Sequence, residues 1–408
     1  MSALENSRHR VALLAALLAT FAACQPQPTG TAITNVTVID AVNGLRESQT
    51  VVWDGDRITQ VVDSDTDVQA ANTIDGTGKY LIPGLWDFHV HLTYDDRFTE
   101  MMPRQFLSYG ITSVRDTGGL MHKVLPVVEA MRAEGAIAPR VFFAGPLLDG
   151  TYVVYDGESR PEIGTQNASP QAARAMIEDL HGQGVDFIKI YEMVSAAVFD
   201  EMVKTANELE LPIDSHVPLS LRASTAGPYV DSIEHLRNIE MDCAANAAEL
   251  HETRLERLRN PDSLPGADLR SSLHSLQRLP AIADYDETRC DQTIDALRGT
   301  MQVPTLRLTA HEIEPAFTRD GWDEAMRRVS ADVRDEWQAD AASWPAQADP
   351  GDVTFGEWTL FLINRMHEKG VPIGAGTDTP IWYAVPGFSL HSELEFLVRA
   401  GLSPLEAL

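Results

Sequence analysis

Apolar and polar residues alternate in short runs from residue 31 to about residue 82: ITNVTVID, TVVWDGDRITQVV and TIDGTGKYLIPG. Alternation with period two puts one face of each run into a core, which predicts strands. Asn43-Gly44, Asp54-Gly55 and Asp75-Gly76 fall where tight turns need residues tolerant of positive φ. Residues 31–82 therefore read as a small β-domain. Past Pro83-Gly84 the pattern changes. Short apolar segments now alternate with stretches such as AARAMIEDLHGQG and AVFDEMVKTANELE, whose apolar residues recur every three or four positions. The strand candidates are 85–92, 111–116, 141–148, 185–191, 212–217, 232–236, 303–308 and 371–378. Such repetition predicts an α/β fold with parallel strands, a (β/α)8 TIM-type barrel over residues 83–408. Two long charged connections, at about 238–301 and 309–370, each follow a strand. They read as mostly helical covers over the face where barrel enzymes keep their sites, with Arg and Glu repeats marking solvated faces.

Composition narrows this picture. The 408 residues are 44% apolar and 23% charged, a globular mixture that excludes a disordered or disulfide-built chain. The 60 Asp and Glu against 32 Lys and Arg give a net charge of −28. That balance disfavours nucleic acid or an anionic membrane as a direct partner, because phosphates are neutralised by clustered cations. Arg8, His9 and Arg10 precede the apolar run VALLAALLATFAA, the layout of an export signal too short to span a membrane. Residues 1–23 are expected to be removed and residues 24–30 to form a tether. Lipid on Cys24 would then be the sole membrane attachment of a periplasmic protein. Cys243 and Cys290 remain; in an oxidising compartment they could pair, but free thiols are the expectation.

The strongest local signal is WDFHVHL, in which Asp87, His89 and His91 share one face of a strand. Two imidazoles at i and i+2 near a strand end can grip one metal ion. In FIKIY, Lys189 points the same way as Phe187 and Tyr191. An ammonium facing into a barrel is costly unless paired or neutralised, and a neutral amine can take up CO₂ as a carbamate, an anionic ligand able to bridge two metals. The alternative is an ordinary lysine paired with Asp or Glu. His216 closes LPIDSHV, His235 sits in DSIEHL, and Asp378 closes VPIGAGTD. Four histidines, a lysine and an aspartate thus stand at the ends of strands one, four, five, six and eight.

In these residues, and in LIPGLWDFHVHL, GITSVRDTGG, VDFIKIY, IDSHV, SIEHL, GAGTDTP and FSLHSELEFLVRAGLSPLEAL, the chain resembles the metal-dependent amidohydrolases. The closest branch contains imidazolonepropionase-like and Xaa-Pro-dipeptidase-like enzymes, and the resemblance covers about residues 33–408. It implies one or two divalent metals, Zn²⁺ foremost. His89, His91, Lys189 and Asp378 would hold the first. Lys189, N6-carboxylated, would share the second with His216 and His235. With a single metal, His235 would polarise the substrate carbonyl. A zinc-bound water with a pKa of about 7 supplies hydroxide at neutral pH. Asp378 would be the proton shuttle, and the substrate a small amide, cyclic amide or dipeptide-like molecule cleaved at its C–N bond. The resemblance also implies a small β-sandwich domain whose C-terminal part is missing, since the chain ends at Leu408 inside the helix after strand eight. Two other functions fit the same residues: a lactonase or phosphotriesterase on the same metals, and a truncated, non-catalytic, lipid-anchored binding protein.

The remaining candidates weigh less. His391 recurs in the family pattern without a role. His311 is expected in an exposed loop after strand seven. His122, His181, His251, His274 and His367 read as surface residues. Tyr152 and Tyr191 could meet substrate or simply pack, and Trp382 and Tyr383 hint at an aromatic pocket. GTGK at 76–79 reads as a turn rather than a phosphate-binding loop.

Overall fold

The structure is a computed structural model describing residues 29–345 and 347–408. The expected export signal, Cys24 and most of the tether lie outside the described residues. The chain divides into a unit ending at Pro83 and a unit from Gly84 to Leu408.

The first unit contains β1 (Thr31–Asp40), β2 (Gly44–Asp54), β3 (Arg57–Asp63), β4 (Asn72–Asp75) and β5 (Tyr80–Leu81). β1, β2 and β3 form an antiparallel meander whose turns hold Gly44 and Gly55 at positive φ. β4 and β5 pair parallel to β1. The described residues make one sheet rather than a sandwich. Val36, Val38 and Val51 are buried on it with Ile33 and Leu81 beside them, while Ile58, Val61 and Ile74 stay exposed.

The second unit opens with β6 (Leu85–Val90), β7 (Ile111–Asp116) and β8 (Arg140–Phe143), paired in parallel. A second parallel sheet holds β9 (Leu147–Asp149), β10 (Gly164–Gln166), β11 (Ile188–Ile190), β12 (Ile213–Ser215), β13 (Ser232–Glu234) and β14 (Met301–Val303). Its order is β10-β9-β11-β12-β13-β14. The expected third strand is thus broken into β8 and β9. The segment 371–378 forms no continuous strand. It makes single parallel bridges on both sides, Ile373 with Gln302 and Thr379 with Val90. Pro372 has no N–H to give a ladder, and glycines at 374 and 376 favour a looser path. The expected strand 303–308 ends at Val303. Pro304 follows, Thr305 takes a left-handed backbone, and Leu306–Thr309 turns helical.

Both helices expected from periodicity form, Pro170–Gly182 and Ala196–Glu208. Ser169 and Ser195 cap them by accepting from Ala172 N–H and Val198 N–H. Their apolar stripes, including Ile177, Leu180, Phe199 and Met202, are buried in the core of this unit. The connection after β13 is helical in Ala247–Arg259, Gly266–Ala283 and Glu287–Ala296; the one after β14 carries Ala331–Ala342 and Pro350–Glu368. Not every Arg on these covers is solvated, as the pattern had suggested: Arg254 and Arg270 are buried. Arg254 donates to Gln277 and Asn238. Cys243 and Cys290, expected as free thiols, form a disulfide with Cα atoms 4.0 Å apart. Backbone bonds from Ala245 N–H to Asp284 and from Asp286 N–H to Cys243 bring the two segments together.

Candidate metal centre

The six residues singled out in the sequence line one cavity. His89 comes from β6 and His91 follows it by two residues. Lys189 comes from β11, His216 and His235 directly follow β12 and β13, and Asp378 ends the bridged segment. All six are buried. His89 and His235 lie 4.6 Å apart between ring centroids, and His216 and His235 lie 4.8 Å apart.

Hydrogen bonds on the far side of each ring set its orientation. His91 Nδ1 lies 3.0 Å from the Gly118 carbonyl, which can only accept, so Nδ1 donates there and Nε2 is left facing the cavity. His216 Nδ1 donates to Glu192 Oε1 at 2.7 Å, and His89 Nδ1 meets Glu234 Oε2. His235 Nδ1 lies 2.6 Å from Thr305 Oγ1. Every Nε2 is thereby left for the cavity, the arrangement that outer-shell acceptors produce around ligating histidines. The Nε2 atoms of His89 and His91 converge on Asp378 Oδ1 at 3.2 and 3.1 Å. Among the described residues, His89, His91 and Asp378 are the group whose donor atoms lie close enough together to hold an ion. Asp378 Oδ1 is buried with no conventional hydrogen bond, and two imidazoles with one carboxylate oxygen are a donor set suited to a divalent cation. The residues fit a metal.

Charge in the site is finely divided. Burial works against a charged His89, but Glu234 and Asp378 raise it to about 9. Burial and the Lys189 charge push His216 down to about 3. Burial likewise carries His235 well below its ordinary value. Asp378 resists burial through His235, His89 and His91 and stays well below the usual carboxylate range. Lys189 Nζ pairs with Asp214 Oδ2 at 3.0 Å, both groups buried.

Backbone conformation singles out the same positions. His235 and Asp378 have φ of +61° and +58°, and Thr305, which touches His235, has +47°. Left-handed backbone is costly for residues other than glycine and collects where surrounding structure holds it for function. Asp87 helps hold it: the carboxylate accepts from Thr377 N–H, Thr377 Oγ1 and His89 N–H, and burial raises it to about 7. Gly376 lies against His89, where a Cβ would come within 2.8 Å of His89 Cβ and 2.5 Å of Val303 Cγ1. Gly376→Ala is therefore expected to cost about 1–3 kcal/mol, read as a lower midpoint in urea unfolding, and to displace His89.

Sequence reasoning missed the groups behind the ligand candidates. Glu192 accepts from His216, from Arg270 Nη2 at 2.7 Å and from His274 Nε2 at 2.6 Å. His274, expected at the surface, is nearly buried because Glu192 draws it in. Arg115 reaches from β7 to Ser232 and Glu234 on β13. Period-two alternation did contain a signal, since Asp214 shares a strand face with His216, and Glu234 with Ser232. His311, expected in an exposed loop, is buried among Phe317, Trp344 and Tyr383. Tyr383 packs there too, Trp382 is exposed, and Tyr191 lines the cavity. His251 and His367 are half-buried, and His122, His181 and His391 are exposed. His391 Nε2 bonds the Tyr109 carbonyl.

No protein-family profile and no curated protein sequence matches the chain. Solved structures do. Bottromycin amidohydrolase matches with a TM-score of 0.64 and 25% identity, over 94% of this chain and 77% of its own. A Xaa-Pro dipeptidase with methionine bound in its active site matches at 0.62 and 18%, over 93% and 86%. This chain has an amidohydrolase fold. Ochratoxinase from A. niger shares that amidohydrolase fold at 0.61 and 17% identity, over 93% and 82%.

Proposed function

We propose that this chain is a metal-dependent hydrolase of C–N bonds in small amides or dipeptide-like molecules, built on a (β/α)8 barrel. Parallel strands that follow chain order apart from β10, with segment 371–379 bridged to both β14 and β6, support the barrel. The observation that carries the chemistry is the convergence of His89 and His91 Nε2 on Asp378 Oδ1, with each Nδ1 engaged behind. The amidohydrolase and dipeptidase named among the similar structures act on bonds of this kind, which favours amide over ester substrates.

His89, His91 and Asp378 would hold one divalent ion, with Lys189, carboxylated at its amine, joining them and extending the site to His216 and His235. Such an ion acidifies water and polarises a carbonyl. Asp378 then has a proton to manage: its Oδ1 accepts from the attacking water and returns the proton to the departing nitrogen, which would otherwise leave poorly. With a single metal, His235, kept neutral by burial, would instead donate a hydrogen bond to the carbonyl oxygen from Nε2 when Thr305 Oγ1 donates to Nδ1. The low-lying Asp378 carboxylate is anionic at neutral pH, as a proton acceptor must be.

Elemental analysis of purified protein tests this reading. One or two zinc-group or manganese ions per chain are expected, with at least half lost in Lys189→Ala and in His89→Ala. A panel of N-acyl amino acids, X-Pro dipeptides, lactones and organophosphates should give turnover with the first two classes. A metal-free intact protein would end the proposal, and turnover confined to lactones or phosphotriesters would replace the reaction.

A further inference from the structure

Arg237 stands two residues beyond His235 and lines the same cavity as the six ligand candidates. Its guanidinium makes no hydrogen bond to any described residue, and its Nε is buried without a partner. The nearest anion is Glu192, whose Oε1 is 3.8 Å from Nη1, beyond hydrogen-bond reach. That carboxylate already serves three closer donors. Oε1 already accepts from His216 and Arg270, and Oε2 accepts from His274. Arg237 is thus a surplus cation at the wall of the candidate reaction site, with 19% of its side chain exposed and so open to a ligand. Apolar surface lies beside it: Tyr155 and Tyr191 meet edge to face at 5.8 Å, and Leu147, Ile163 and Ile381 complete the lining.

We propose that Arg237 is a specificity-determining residue that binds a carboxylate of the substrate. The proposal rests on the amidohydrolase reading of this site and narrows it to amides that carry a free acid, with an apolar group against the tyrosines. A guanidinium fork matches a carboxylate through two parallel N–H···O bonds. A half-buried guanidinium without a hydrogen-bonded acceptor gains most from such a ligand, because part of its desolvation has already been met.

The test compares the N-acetyl derivatives of leucine, phenylalanine and proline with the same compounds bearing a methylamide in place of the carboxylate. In the metal-loaded protein, kcat/KM for the acids is expected to exceed that for the methylamides by about 10- to 100-fold, mainly through KM. Arg237→Met should erase the preference with metal content unchanged, and Arg237→Lys should keep part of it. A preference that survives in Arg237→Met overturns the proposal. Calorimetric binding of the same pairs separates it from the hydrolase reading. Acid-selective binding that Arg237→Met abolishes, without any turnover, leaves Arg237 its role and removes the hydrolase. Equal binding of acid and methylamide by the intact protein, or binding of neither, overturns it. Far-UV circular dichroism checks that both variants fold; if Arg237→Met does not, loss of preference in Arg237→Gln decides.

Discussion

Replacing Asp378 by Asn is expected to lower kcat/KM about 10²- to 10⁴-fold, the range general acid–base catalysis supplies. Asn matches Asp in shape, so the left-handed backbone at this position and the packing around it persist. What disappears is a proton acceptor at Oδ1, the atom on which His89 and His91 converge. The carboxylate is anionic at neutral pH only because three imidazoles offset its burial, and an amide cannot carry that charge. Two readouts divide the outcome. Steady-state kinetics on the best N-acyl amino acid or dipeptide reads the reaction, and elemental analysis reads the ion. A variant with near-normal metal and lost kcat assigns the proton transfer to Asp378. Loss of both makes it chiefly a ligand, and near-normal kcat would remove it from the mechanism.

The second large effect concerns stability. Glu192→Ala should destabilise the fold by about 3–5 kcal/mol, the cost of removing one partner from a buried ionic cluster. Glu192 sits fully buried under His216, Arg270 and His274, and its removal strands the buried Arg270 cation. Burial opposes the Glu192 charge, yet Arg270 and His274 hold it well below its ordinary 4.5. A carboxylate depressed in the folded state stabilises above its unfolded pKa, and the contribution is lost as pH falls. His274 points the same way. Arg278 donates to its Nδ1, so the ring is neutral, and burial lowers it to about 4. A histidine kept neutral when folded costs stability once pH drops below its ordinary 6.5. The intact protein should therefore weaken progressively from about pH 6.5 downward, and Glu192→Ala should flatten that slope. Urea midpoints across pH 4–8 check both statements, and a midpoint in Glu192→Ala equal to the parent's at pH 7 would refute the expected destabilisation.

Particular residues show how much of this could be read in advance. WDFHVHL disclosed its two histidines because a strand's period of two puts His89 and His91 on one face whatever lies around it. FIKIY, IDSHV, SIEHL and GTD disclosed Lys189, His216, His235 and Asp378 by the same local rule: one polar residue at the end of an apolar run. Helices Pro170–Gly182 and Ala196–Glu208 followed from apolar spacing and serine caps, which are also local. Glu192, His274 and Arg270 were not legible in this way. Eighty-two residues separate Glu192 from His274, and no periodicity links a helix of the cover to a strand end. The disulfide is a similar case, with Cys243 and Cys290 separated by 47 positions.

By itself, then, the sequence determined the parallel α/β pattern, the short β-rich unit before Pro83 and the six polar residues that line one cavity. These depend on side-chain alternation and turn chemistry, which act over a few residues. Tertiary structure alone decided which donors share one oxygen, which face each imidazole turns to the cavity, and which cation there has no hydrogen-bonded anion. Those depend on distances between segments far apart in the chain, and on the burial that makes an unpaired charge costly. Arg237 is the clearest instance: an ordinary arginine in the sequence, and in the folded protein a cation without a hydrogen-bonded anion, because Glu192 is engaged by closer donors.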